Sequence, residues 1–127
     1  MSYKQKNIEN YLYFADSEAL DSSNDEDKVV MWPVSGILAI GPVTANSICT
    51  NFRRADGSHA ADLADFQLVN TWPTMQEWRE ALDIYVSHCQ KNHKEGMVSI
   101  VDCQESKVCH QVFSSAAGTV TLTTTGV

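Results

Sequence analysis

One helix signal stands alone in a chain that otherwise reads as strand and turn, and it constrains the fold more than any other feature. Thr74-Met75-Gln76-Glu77 matches a capping box. In that motif the Thr74 hydroxyl accepts from the Glu77 backbone N–H, and the Glu77 carboxylate accepts from the Thr74 N–H. Apolar residues follow at Met75, Trp78, Leu82, Tyr85, Val86 and Cys89, a stripe with helical period. Glu80, Asp83, Ser87 and Gln90 fall on the opposite face. His88, Lys91, His93 and Lys94 gather at the C-terminal end, where cations complement the helix dipole, and Gly96 is the expected stop. The spacing predicts one helix over about 74–92.

Around it lie short β-prone runs. Tyr11 to Phe14 is aromatic and apolar, and Val29 to Val34 continues through a bend at Ser35-Gly36 into Ile37 to Ile40. Ser47 to Arg53 and Ala64 to Val69 follow, with the turn dipeptide Asp56-Gly57 between them, so these strands read as an antiparallel meander. After the helix come Met97 to Val101, a return strand at Val108 to Phe113 and a last strand at Thr119 to Thr124. The expected class is α+β: a mainly antiparallel curved sheet or small partial barrel covered by one long helix. Trp78, Leu82, Tyr85, Val86 and Cys89 are expected to pack against Ile48, Phe52, Phe66, Leu68, Val98 and Ile100.

Composition matters for partners. The 127 residues suit a single domain, 1–127, with 43% hydrophobic and 20% charged residues. A net charge of −7, with nine Lys and Arg in all, disfavours nucleic acid and anionic membrane surfaces. Six of the acidic groups fall in 16–27 with few apolar residues, the pattern of a solvated loop. That run has no glycine and no ligand spacing of a calcium loop. No secretory or membrane-spanning stretch is expected in the polar first ten residues or in the interrupted apolar run Val29 to Ile40.

The chemistry-bearing residues make no recognised catalytic set. His88, Cys89 and His93, with Cys103, Cys109 and His110, match no zinc spacing, and reduced buried thiols are the expected state. A Cys103–Cys109 disulfide requires the two to stand opposite each other in a hairpin. Ser58, His59 and Asp62 lack the strand–helix elbow of a hydrolase nucleophile. Trp32, Trp72 and Trp78 read as core or interface anchors. No metal, cofactor or catalytic residue is expected.

In overall pattern the chain resembles small accessory structural proteins of tailed phages, particularly those of marine hosts. The resemblance is carried by the aromatic strand Tyr11 to Phe14 feeding an acidic loop, the strand Val29 to Val34 and the Gly57 to Asp62 stretch. It continues through the helix from Trp78 to His88, the Met97 to Asp102 strand and a Gly-Thr-Val-Thr-Leu ending. It implies a non-enzymatic virion protein, a capsid decoration or cement protein assembled in the host cytoplasm. Its implied partners are its own copies, as a homo-oligomer, and a major capsid or other virion protein. The uncharged segment 118–127 is an unblunted extended strand, which makes Thr119, Val120, Thr121, Leu122 and Thr123 the expected interface, close to or across a subunit boundary. The other reading of the residues is a small soluble acidic protein that binds or inhibits through a basic partner surface.

Overall fold

The computed structural model describes residues 10–18, 28–42, 47–54, 61–67, 74–90, 96–113 and 120–123. Its elements are β1 (Tyr11–Ala15), β2 (Val29–Pro33), β3 (Ile37–Gly41), β4 (Ser47–Arg53), β5 (Ala61–Gln67), α1 (Met75–Gln90), β6 (Met97–Asp102), β7 (Lys107–Val108) and β8 (Val120–Thr123). The class is α+β with mostly antiparallel pairing. The strand material forms two four-stranded sheets, ordered β2-β1-β6-β7 and β3-β4-β5-β8, neither of them closed.

The expected meander divides at one point. A single 3-10 turn, Val34–Gly36, ends β2 and starts β3, so the chain passes there from the first sheet to the second. In the first sheet β1 pairs antiparallel with β2 and parallel with β6, the chain between β1 and β6 running through β2, three strands of the second sheet (β3 to β5) and the helix. In the second, β4 pairs antiparallel with β3 and with β5, and β8 returns along the free side of β5.

Strand alternation sends Leu12 and Phe14 (β1), Val30 and Trp32 (β2), Val98 and Ile100 (β6), and Ile48 and Phe52 (β4) into one shared core. An aromatic cluster joins the sheets. The Trp32 and Phe52 rings stack with centroids 4.4 Å apart, and Phe14 meets both edge-on at 5.6 and 6.2 Å.

The helix begins as its sequence dictates. Thr74 N–H donates to Glu77 Oε1 at 2.8 Å, and Glu77 N–H donates to Thr74 Oγ1 at 3.1 Å. Its buried side, however, is Ala81, Tyr85 and Cys89. Trp78 and Leu82 are half-buried at its margin, while Met75 and Val86 are exposed. The expected stripe is therefore rotated. Small Ala81 is buried on that side, and Tyr85 reaches Thr50 of β4 and packs edge-on to Phe113.

Two strand boundaries also differ. β5 starts at Ala61 rather than Ala64, because Asp62 is drawn inward. The return strand after β6 is only Lys107–Val108, since the chain turns at once into a helical turn at 111–113. Gly96 takes φ 75, a left-handed conformation that suits glycine, and its carbonyl accepts from Tyr11 N–H at 2.7 Å. Leu68, the Asp56-Gly57 turn and most of the acidic run, 19–27, lie outside the described residues.

Candidate functional site

The outward side of the first sheet is where this fold departs most from an inert surface. Alternation along β1 that buries Leu12 and Phe14 turns Tyr11 and Tyr13 outward. The neighbours do the same: Met31 and Pro33 on β2, Met97 and Ser99 on β6. Register sets these side chains in two rows, Pro33–Tyr11–Met97 and Met31–Tyr13–Ser99. Tyr11 is 41% exposed, Met31 50% and Met97 45%. The result is an apolar and aromatic platform on three adjacent strands, roughly 10 Å across the strands.

One end of this platform is acidic, for a topological reason. Because β1 and β6 are parallel, their C-terminal ends lie side by side, with Ala15 opposite Asp102. Asp16 and Glu18 follow β1; Asp102 ends β6 and Glu105 follows it. Two bonds fasten these ends together: Cys103 N–H donates to Ala15 O at 2.9 Å, and Gln104 Nε2 donates to Glu18 O at 2.9 Å. Asp102 Oδ1 accepts from Gln104 N–H and Glu105 N–H, fixing the turn that carries Glu105. Partial burial, and then the fields of Asp102 and Glu105, raise the Tyr13 phenol above its ordinary pKa. Lys28, almost fully buried, reaches Glu18 at 3.8 Å.

The residues singled out in the sequence are distributed differently. The His88 and His110 rings approach to 6.3 Å between centroids, which joins the helix end to the segment after β7. Among the described residues no three His, Cys, Asp or Glu side chains converge as a metal cage, and His93 lies outside them. None of the four cysteines is joined to another by a disulfide. Cys109 N–H bonds to Ile100 O, which places Cys109 opposite Ile100 and three residues, roughly 10 Å, along the hairpin from Cys103. That separation excludes the disulfide. Burial pushes the Cys89 thiol up to about 11, against the opposing hydrogen bond from Tyr85, and also raises Cys103.

Asp62 is buried, with Oδ2 accepting from Trp32 Nε1 at 3.3 Å and Oδ1 facing Arg54 Nε at 3.4 Å. It is thus committed to the core rim, and Ser58 and His59 lie outside the described residues. Of the expected interface residues, Val120 to Thr123 form β8, hydrogen-bonded in register to Phe66 through Leu63 of the same chain. Leu122 points to the core, while Thr121 and Thr123 face out. Thr119 lies outside the described residues.

Two clefts also open among the described residues. The larger, about 910 Å³ and open, runs along α1 beside Met75, Trp78 and Leu82, with Arg79, Glu80 and Asp83 as exposed polar rim. The smaller, about 370 Å³, lies on the second sheet beside Ile40, Cys49, Asn51 and Leu63. Among the described residues no helix is long and apolar enough to cross a membrane. Comparison with protein-family models, with curated proteins and with solved structures found no match.

The platform and its acidic end were missed in the sequence because both depend on the parallel β1–β6 pairing, which joins segments far apart in the chain. The alternating pattern of Tyr11 and Tyr13 with Leu12 and Phe14 was the available signal.

Proposed function

We propose that this is a non-enzymatic accessory structural protein of a virion, of the capsid-decoration or cement type. It assembles as a homo-oligomer and attaches to a major capsid or other virion protein. The observation that carries the reading is the exposed Tyr11–Met31–Met97 platform. Exposed contiguous aromatic and methionine side chains are the composition of protein–protein interface cores. The particle comes into the proposal through the resemblance of the overall sequence pattern to phage accessory proteins.

The test is sedimentation of the purified protein, alone and with tailed-phage capsids stripped of accessory proteins, alongside light scattering. Co-sedimentation at a fixed ratio per capsid, with an oligomeric scattering mass, supports the role. A strict monomer that adheres to no capsid refutes it.

A second reading has its own observation. The acidic groups Asp16, Glu18, Asp102 and Glu105 gather where β1 and β6 end, which suits a small soluble acidic protein that binds or inhibits through a basic partner. It requires a salt-sensitive complex formed without any particle. Equal binding at low and high salt refutes it.

A further inference from the structure

We infer that the outward face of the β2-β1-β6 sheet docks a basic, amphipathic segment of a partner protein. An apolar side chain would lie over Tyr11, Tyr13, Met31 and Met97, and Lys or Arg would reach Asp102 and Glu105 at the acidic end. The inference rests on the proposed role as an attached protein and names the chemistry of the surface to which it attaches.

Three observations fix the occupant. The platform offers large apolar area, with stiff tyrosines that order at low entropic cost and adaptable methionines that fit an uneven partner. The adjoining end is acidic. The Asp102 carboxylate is held by two backbone N–H groups, and Glu105 sits on the same turn, so these charges are placed before any partner arrives. Charge then selects among candidates. Nucleic acid stacked on the tyrosines would bring phosphates against Asp102, Glu105 and Asp16, and anionic lipid headgroups meet the same repulsion. A second copy placed face to face here brings its own Asp102 and Glu105 to the same surface and is opposed there, which leaves the homo-oligomer contact to another face. A segment with apolar residues flanked by Lys or Arg satisfies both parts of the surface.

The experiment uses the full isotope-labelled chain, with backbone amide shifts followed during titration by three probes. One is a peptide with a Leu-Phe centre flanked by lysines, the second has the same centre flanked by glutamates, and the third is single-stranded oligothymidine. The expected result is saturable shifts in Tyr11–Ala15, Val29–Pro33 and Met97–Asp102 with the lysine peptide alone, leaving Met75–Gln90 unmoved. Tyr11→Ser with Met97→Ser should weaken that binding about tenfold, as expected for loss of interface anchors. Asp102→Asn with Glu105→Gln should flatten its salt dependence while amide dispersion shows the fold intact.

Equal binding of the glutamate peptide, binding of the oligonucleotide at this face, or shifts confined to the helix would overturn the inference. So would concentration-dependent self-association that occupies the same amides in the absence of any probe. Capsid attachment that the lysine peptide fails to compete for overturns the partner chemistry alone and leaves the attached role standing. Peptide binding at this face with no attachment to any capsid overturns the role alone.

Discussion

Tyr85 on α1 and Thr50 on β4 share a hydrogen bond of 2.6 Å between two fully buried hydroxyls, the polar tie between the helix and the second sheet. It turns the helix so that Tyr85 lies at the centre of its buried side, edge-on to Phe113. Thr50→Val keeps the shape but removes the short hydrogen bond, leaving the Cys89 thiol as a weaker partner for the tyrosine hydroxyl, and should cost about 1 kcal/mol in urea unfolding. Tyr85→Phe should cost about 1 kcal/mol, and the double variant less than the sum of the two. Additivity of the pair within about 0.3 kcal/mol would show that the bond does not couple them.

The rotation of the helix makes a second prediction. Leu82 is half-buried, so Leu82→Ala should cost about 1–2 kcal/mol, below the range for a fully enclosed leucine. Val86→Ser should fall within about 0.5 kcal/mol of wild type, since that side chain is exposed. Ala81 is the position that tolerates least, and Ala81→Leu should cost about 1–3 kcal/mol by overpacking. Thermal melts that rank Val86 above Ala81 would put the helix in its other phase.

These residues show what was legible beforehand. The capping box at Thr74 and Glu77 is a local interaction, and the helix start was readable to the residue. Phase was less so, because Met75, Trp78, Leu82 and Val86 are as apolar as the true core side, and small Ala81 carries no hydropathy signal. Strand existence was readable from β-prone runs, but sheet membership was not. Nothing local to Ala15 announces Asp102 as its neighbour, or to Val34 that the chain changes sheets there. In the sequence Asp62 stood out only beside Ser58 and His59, because its partners Trp32 and Arg54 come from another strand and from the end of β4.

That carboxylate is itself testable. Asp62 supplies the acceptor for the buried Trp32 indole N–H, so Asp62→Ala should cost about 1–3 kcal/mol from the orphaned donor. Arg54 adds less, because its side chain is 25% exposed and stays partly hydrated. Asp62→Asn keeps an acceptor beside the indole and should be the milder change. Trp32 fluorescence during denaturant unfolding reads both, and an alanine variant as stable as the asparagine one would remove the indole bond from the account.

Alkaline pH should unfold the protein through Cys89. Its thiol is raised from the ordinary 9.0 to about 11 by burial, so the folded state favours the protonated form. The sign follows: this stability is complete below pH 9 and is lost as pH rises toward 11, on the order of 2 kcal/mol over that window. Tyr85, also raised by burial, pulls in the same direction. Melts at pH 7 and pH 10.5 should diverge less for Cys89→Ala than for wild type, and an identical loss in both proteins would exclude the thiol as a cause.

The terminal strand separates folding from assembly on a single element. Leu122 is 6% exposed and stands opposite Ala64, so Leu122→Ala should cost about 2–5 kcal/mol whatever the protein assembles with. Thr121 and Thr123 point outward from the same strand, and lysines there should leave the melting temperature within a few degrees of wild type. They would also charge a strand that is otherwise uncharged, which blocks edge or face pairing with another copy. Scattering mass and thermal melts on Thr121→Lys with Thr123→Lys then give distinct answers. A folded protein of reduced mass places a subunit contact at β8. A folded protein of unchanged mass confines β8 to its own sheet and moves assembly to another surface.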